Sequence, residues 1–167
     1  MSELSGEYKK TTILFPLMGP DVILGMKKVG FGKDWWNGFG GKKKPGEKYE
    51  QAAIRETDEE STLLVRSLVH VADLHFYFNH ELGVVSKAYV SRDFTGTPTE
   101  TDEMRPEVFA IDQLPYDTMW PADRFWIPAV LALPADAPPL GFIVNFDDDQ
   151  NYRSIEEVDP ILLESKF

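Results

Sequence analysis

Cysteine is absent from the 167 residues, and histidine occurs only three times. The first absence excludes disulfides and thiol catalysis, and gives no sign of a disulfide-built secreted scaffold. His70, His75 and His80 are spaced by five, which is neither a strand nor a helix period, so they read as scattered side chains and not as a ligand set. Positive charge is scarce as well: 17 Lys and Arg stand against 28 Asp and Glu, for a net charge of −11. That balance argues against a nucleic-acid polymer as partner, because such binding draws its affinity from clustered Lys and Arg. No apolar run approaches membrane-spanning length, and the N-terminal ten residues carry acids without the apolar centre of a signal peptide. No membrane is expected, and the cytoplasm is the expected compartment. A 19.0 kDa chain of this kind is expected to form one domain over residues 1–167, with its core about 11–158, burying roughly two-thirds of its unfolded surface.

What the chain does have is acid at a telling spacing. In residues 41–63 a glycine loop is followed by Glu47, Glu56, Glu59 and Glu60. On a helix over 47–60, the last three stand three and four residues apart and converge on one patch. Like charges so placed repel, and a divalent cation with oxygen ligands resolves the repulsion. The alternative is a solvated acidic helix after a basic loop. Lys42, Lys43 and Lys44, with Lys27 and Lys28 upstream, are either ordinary surface charge or partners for a metal-chelated phosphate.

Twelve glycines and twelve prolines cut the chain into short elements. Residues 11–17 and 21–28 read as a strand hairpin around Gly19-Pro20. Residues 30–46 form a loop too long to be a mere connector. Residues 64–79 and 83–94 read as two strands, with Leu74, Phe76 and Phe78 on one face, and 105–111 as another strand. Helical spacing runs from Trp120 to Leu133, with Pro121 suited to its start and Pro128 a first turn or a kink. A linker at 134–139 precedes a final hairpin, 140–146 with 151–158, whose turn holds Asp147, Asp148 and Asp149. The tail, 159–167, reads as peripheral. Strands and helices in this order suit a mixed sheet covered by helices on both sides.

The stretch 41–63 resembles the Nudix box, with Gly41, Glu47, Arg55, Glu56, Glu59, Glu60 and Leu63 in register. Thr57 stands where the box has an aliphatic residue, so its hydroxyl needs a partner if buried. Thr62 stands where the box has glycine. Threonine suits a left-handed helix end poorly, which predicts a modified exit from the helix. Beyond the box, residues 24–41, 99–106 and 115–123 resemble the animal-type oxidised-purine nucleoside triphosphatases, the 8-oxo-dGTPases. The likeness covers about residues 11–155.

The resemblance implies an α/β/α sandwich with a mixed β-sheet flanked by helices. It also implies Mg²⁺-dependent hydrolysis of oxidised purine nucleoside triphosphates, such as 8-oxo-dGTP and 2-hydroxy-dATP, to monophosphate and pyrophosphate, with Mn²⁺ as a substitute metal. The metal set it implies is Gly41, through a nearby carbonyl, with Glu56, Glu59, Glu60 and Glu103; base and ligand are not separable among these carboxylates. Arg55 is read as orienting a glutamate, and Glu47 as tying loop to helix. For the substrate, Asn37 offers a donor and an acceptor, Phe31 and Trp120 are stacking walls, and Phe76, Phe78 and Met104 line the pocket. Lys27 serves the phosphates. Phe76 and Phe78 fit a core role equally well, and Trp36 reads as packing. Thr12, like Thr11, is a possible sugar neighbour, though strand propensity explains both.

The subfamily places two adjacent aspartates after Trp-Pro to read the base edge. Here the pair is Ala122-Asp123, so Asp123 and Asn37 alone are left for that task. The absence supports a second reading, the same chemistry on another modified purine triphosphate such as O6-methyl-dGTP. A third is a nucleotide sensor without turnover. A monomer is expected.

Overall fold

The computed structural model describes residues 7–167. The acidic start that argues against a signal peptide therefore lies mostly outside the described residues. Alternation of apolar and polar side chains produces eight strands: β1 (Lys9–Met18), β2 (Asp21–Lys27), β3 (Trp36–Asn37), β4 (Leu64–Phe78), β5 (Glu81–Thr95), β6 (Met104–Ala110), β7 (Leu140–Phe146) and β8 (Tyr152–Val158). They join in one sheet of order β3-β2-β1-β5-β4-β7-β8, and β6 pairs with β2. The pairs β1/β5 and β4/β7 are parallel and the others antiparallel, so the sheet is mixed. Two helices complete it, α1 (Tyr49–Ser61) and α2 (Asp123–Leu131).

Each helix buries one stripe against a separate core. From α1, Ala53 packs with Leu14, Val65 and Tyr89. From α2, Trp126, Ile127, Val130 and Leu131 pack with Phe15, Leu24, Leu74 and Phe142 in the larger cluster. Helices over both cores give the expected α/β/α arrangement. The expected start of α2 near Pro121 moves to Asp123, because residues 121–122 form a turn in which the Asp123 N–H bonds the Trp120 carbonyl at 2.9 Å. Pro128 lies inside the helix, where it removes one backbone donor without ending the element.

The long loop is ordered by β1. Phe39 and Leu14 exchange backbone hydrogen bonds of 2.9 and 2.7 Å, and Thr12 N donates to Gly41 O at 3.0 Å. The tail is less peripheral than its composition suggests. Its Leu163 is buried, the Leu163 carbonyl lies 3.2 Å from Nε2 of the buried His75, and Tyr8 Oη donates to Lys166 O at 2.7 Å.

The exit of α1 corrects one expectation. Thr62 itself takes the left-handed conformation, with φ 65° and ψ 12°, and its N–H bonds Asp58 O. Its Oγ1 donates to Thr97 O at 2.9 Å, which offsets the unfavourable backbone. Thr57 is fully buried and its hydroxyl is satisfied by Ala53 O at 2.7 Å. Thr62→Val keeps the strained backbone and loses the hydroxyl bond, so it is expected to destabilise by about 1 kcal/mol. Thr62→Gly, which loses both strain and bond, should lie close to the natural protein. Chemical denaturation of the three proteins tests this; a valine variant as stable as the natural chain contradicts it.

Candidate active site

The turn spacing of α1 brings Glu56 and Glu60 to one face, and tertiary straps bring a third carboxylate to them. Three bonds tie the 97–101 segment to the end of the helix: Thr62 Oγ1 to Thr97 O, Thr99 N to Ser61 O at 2.9 Å, and Thr101 Oγ1 to Glu60 O at 3.1 Å. Glu103 follows directly. Glu56, Glu60 and Glu103 each present an oxygen within 4.8 Å of the others.

Glu60 is buried to 1% exposure, and its Oε1 accepts from Gly40 N at 2.9 Å. Burial lifts its carboxyl to about 8 against the pull of that hydrogen bond, with further lift from Glu56 and Glu103. Burial also raises Glu56, against the pull of Arg55. Three crowded carboxylates, two of them taken out of water, fit a hard divalent cation, and an all-oxygen donor set suits Mg²⁺ or Mn²⁺.

Glycine is required beside this cluster. A Cβ at Gly40 would lie 1.8 Å from Thr12 O, and one at Gly41 would lie 2.6 Å from the Glu56 carboxyl carbon. The Gly41 carbonyl, placed in the metal set by resemblance, already accepts the Thr12 N–H; a second lone pair stays available.

Arg55 holds the frame. Its Nε and Nη2 grip Glu47 at 2.7 and 3.0 Å in a bidentate pair, and its Nη1 reaches Glu56 Oε1 at 3.0 Å. The hydrogen bond from Arg55, then that from the Lys44 backbone, lowers the Glu47 carboxyl to about 2. Glu47 also accepts from Lys44 N at 2.9 Å, joining loop to helix. Glu59 is not among the three converging carboxylates. It meets Arg55 Nη1 at 3.3 Å, its side chain 46% exposed, because one residue of helical rotation separates it from inward-facing Glu60.

A cavity of about 600 Å³ is lined by Glu60, Gly40 and Gly41 together with residues of β1, β4, β5 and α2. Of the substrate residues expected from sequence, it gathers Thr12, Lys27, Phe31, Asn37, Phe76, Phe78, Met104, Trp120 and Asp123. Phe76 and Phe78 both line the cavity and pack on the core. Trp36 is buried against Phe109. Thr11 spends its hydroxyl on Val85 O, whereas Thr12 Oγ1 is buried without a hydrogen-bond partner. Lys28 turns to Glu100 at 2.6 Å.

Phe31 and Trp120 do not form a slot. Their rings stack on each other with centroids 5.0 Å apart, whereas a base between two rings needs roughly 7 Å, twice a van der Waals separation. Trp35, which lies 5.4 Å from Trp120 and nearly parallel to it, extends the stack. Phe31 and Trp120 therefore act as one wall, and β4 with Phe76 and Phe78 lines the cavity as well.

Asp123, also in the cavity lining, is 5% exposed. Its Oδ1 accepts from Trp126 Nε1 at 3.0 Å, while Oδ2 is buried without a partner. Burial raises this carboxyl to about 7, against the pull of the Trp126 hydrogen bond. Asn37 Oδ1 accepts from Gly38 N at 2.8 Å, leaving its NH₂ as donor. Ala122, buried, adds only a methyl.

Sequence reasoning missed Trp35, Ser86, Trp126, Phe146 and Gln150 in this lining. The i,i+3 spacing of Asp123 and Trp126 on a helix was a usable signal for one of them; the others arrive through long-range pairing. A second cavity, about 380 Å³, is lined by Glu50, Leu68, His70, Lys87 and Tyr89. There His70 Nε2 and Lys87 Nζ both meet Asp73, at 2.7 and 3.2 Å.

The family model for the NUDIX domain matches residues 8–130. The oxidized purine nucleoside triphosphate hydrolase of Mus musculus is 45% identical over 121 residues, 72% of this chain and 78% of that protein. Its counterpart of the same name in Danio rerio is 44% identical over 124 residues, 74% of this chain and 80% of that protein. Among solved structures, the mutator MutT protein from Bacillus halodurans superposes with a TM-score of 0.76 at 20% identity, over 91% of this chain and 98% of that one. With the box glutamates on α1, the α/β/α sheet and these relatives in agreement, the chain belongs to the NUDIX domain family.

Proposed function

We propose that this protein hydrolyses oxidised purine nucleoside triphosphates to a nucleoside monophosphate and pyrophosphate, clearing them from the nucleotide pool. The observation that supports the reading is one cavity lined both by Glu60, a member of the crowded carboxylate cluster, and by the buried, half-satisfied Asp123. The relatives' names point to the same substrate class.

Nudix hydrolases generally use a divalent metal. Here Glu56, Glu60 and Glu103 are the residues that would hold it, with Gly41 nearby, and Mg²⁺, replaceable by Mn²⁺, is the proposed ion. When bound, such an ion offsets phosphate charge and lowers the pKa of a coordinated water. Exposed Glu103 has the freedom to take a proton from an attacking water, and Glu56 is the other choice. Arg55, gripped by Glu47, positions Glu56, and Glu59 steadies Arg55. Lys27 and Lys42 line the same cavity and would meet the phosphates. Asp123 and the Asn37 NH₂ would read the base against the Trp120 wall and the Phe76, Phe78 and Met104 side.

Ala122 favours a second reading, the same chemistry on an alkylated purine such as O6-methyl-dGTP, because a buried methyl tolerates an alkyl group where a second carboxylate would not. A monomer is the proposed state. The net charge of −11 disfavours a nucleic-acid polymer as substrate. None of the described helices is long and apolar enough to cross a membrane, and the cytoplasm is the proposed compartment.

The test is release of pyrophosphate and monophosphate from dGTP, dATP, 8-oxo-dGTP, 2-hydroxy-dATP and O6-methyl-dGTP, with Mg²⁺ and with chelator. Metal-dependent preference for the oxidised nucleotides is expected. Preference for O6-methyl-dGTP would move the substrate, and no turnover of any would leave a nucleotide sensor.

A further inference from the structure

The β7–β8 hairpin ends in a turn that delivers Gln150 to the lining of the cavity, together with Trp120, Ala122, Asp123 and Phe146. Asp147 builds that turn. Its Oδ1 accepts from Asp149 N at 3.0 Å and Asn151 N at 2.9 Å, and its Oδ2 from Arg153 Nη2 at 2.6 Å. Its backbone carbonyl takes the Gln150 N–H at 3.1 Å. This mesh holds Gln150 at φ 63°, a left-handed conformation that disfavours any residue with a Cβ. Glycine or asparagine would sit there at lower cost. Gln150 is exposed in this turn and lines the cavity, so its long amide is accessible to a molecule bound there.

The cavity supplies a use for that amide. In the lining one carboxylate, Asp123, follows a methyl neighbour, Ala122, and the Asn37 carbonyl accepts from Gly38 N. A purine bearing both keto and amino groups would leave part of its edge unpaired against these groups. A glutamine amide carries one donor group and one acceptor, so it can meet either kind of exocyclic group.

We propose that Gln150 is a specificity-determining residue whose side-chain amide hydrogen-bonds the exocyclic edge of the bound purine, alongside Asp123. This rests on the hydrolase reading above and deepens it.

The experiment compares kcat/KM on 8-oxo-dGTP, 2-hydroxy-dATP and dGTP for the natural protein, Gln150→Ala, and Asp148→Ala. The last changes the same turn at a residue outside the cavity lining. Losing one neutral hydrogen bond is expected to lower kcat/KM on the preferred nucleotide roughly three- to tenfold, mainly through KM. The ratio between nucleotides should shift with it, and Asp148→Ala should leave that ratio in place. Equal losses on all three nucleotides, no loss, or the same shift from Asp148→Ala would each overturn the proposal. If the natural protein turns over none of them, the hydrolase reading fails separately. The same ratios, taken from dissociation constants by tryptophan fluorescence, then decide the role of Gln150.

Discussion

Glu60→Gln is expected to lower turnover roughly 10²- to 10³-fold, the scale on which a group stabilising developing charge acts. In the same protein the metal-free fold is expected to become less sensitive to pH. Both effects come from one atom set. Glutamine preserves the volume of a residue that is 1% exposed and keeps a carbonyl oxygen for the Gly40 N–H. It removes one of the three carboxyl groups that Glu56, Glu60 and Glu103 bring within 4.8 Å of each other. The folded Glu60 carboxyl sits near 8, above its ordinary 4.5, so the folded state holds a proton that the unfolded chain releases. Stability from this group is therefore full below about 4.5 and is lost as pH rises through about 8. Without metal, the natural protein should melt progressively lower across that window, and the variant should melt along a flatter line. Added Mg²⁺ should raise the melting point of the natural protein at the alkaline end far more than that of the variant. Turnover within tenfold of the natural protein, or an unchanged pH slope without metal, would sink this account.

The second large effect belongs to Asp123→Asn, and its direction follows from one fixed neighbour. Trp126 Nε1 donates to Asp123 Oδ1 at 3.0 Å, and indole has no acceptor to offer. An asparagine must therefore turn its carbonyl to Trp126 and put its NH₂ where Asp123 now has Oδ2, a buried oxygen without a partner on a residue that lines the cavity. Base donors that met an acceptor would meet a donor. For a guanine-type edge, which offers N–H groups, kcat/KM should fall on the order of 10- to 100-fold, the worth of a hydrogen bond to a charged group. A base presenting an acceptor at that place should lose much less. In the natural protein the carboxyl titrates near 7, so kcat/KM on a guanine-type nucleotide should rise with pH through that value. The asparagine variant should lose that step. A uniform loss across bases, or an unshifted pH profile, would remove Asp123 from base reading.

The site was legible where its geometry is local. Helical spacing alone places Glu56 and Glu60 on one face and Arg55 within reach of Glu59, and strand alternation places Leu74, Phe76 and Phe78 together. Local spacing could not say which way α1 is rotated. Packing of Ala52, Ala53, Thr57 and Ser61 against the sheet sends Glu60 inward and leaves Glu59 beside Arg55. Nor could it separate a slot from a stack, since Phe31 and Trp120 meet only through the fold of the long loop.

By itself, the sequence determined the box helix, its carboxylates, the strand hairpins and the turn at Asp147, because each depends on residues within a few positions of one another. The tertiary structure decided the arrival of Glu103 at the helix end, the burial of Asp123 against Trp126, and the placing of Gln150 and Ala122 in the lining of one cavity. Those juxtapositions follow from which strands pair and which hydroxyls strap distant segments. Their free energy comes from burial shared across the whole sheet, and no local spacing encodes it.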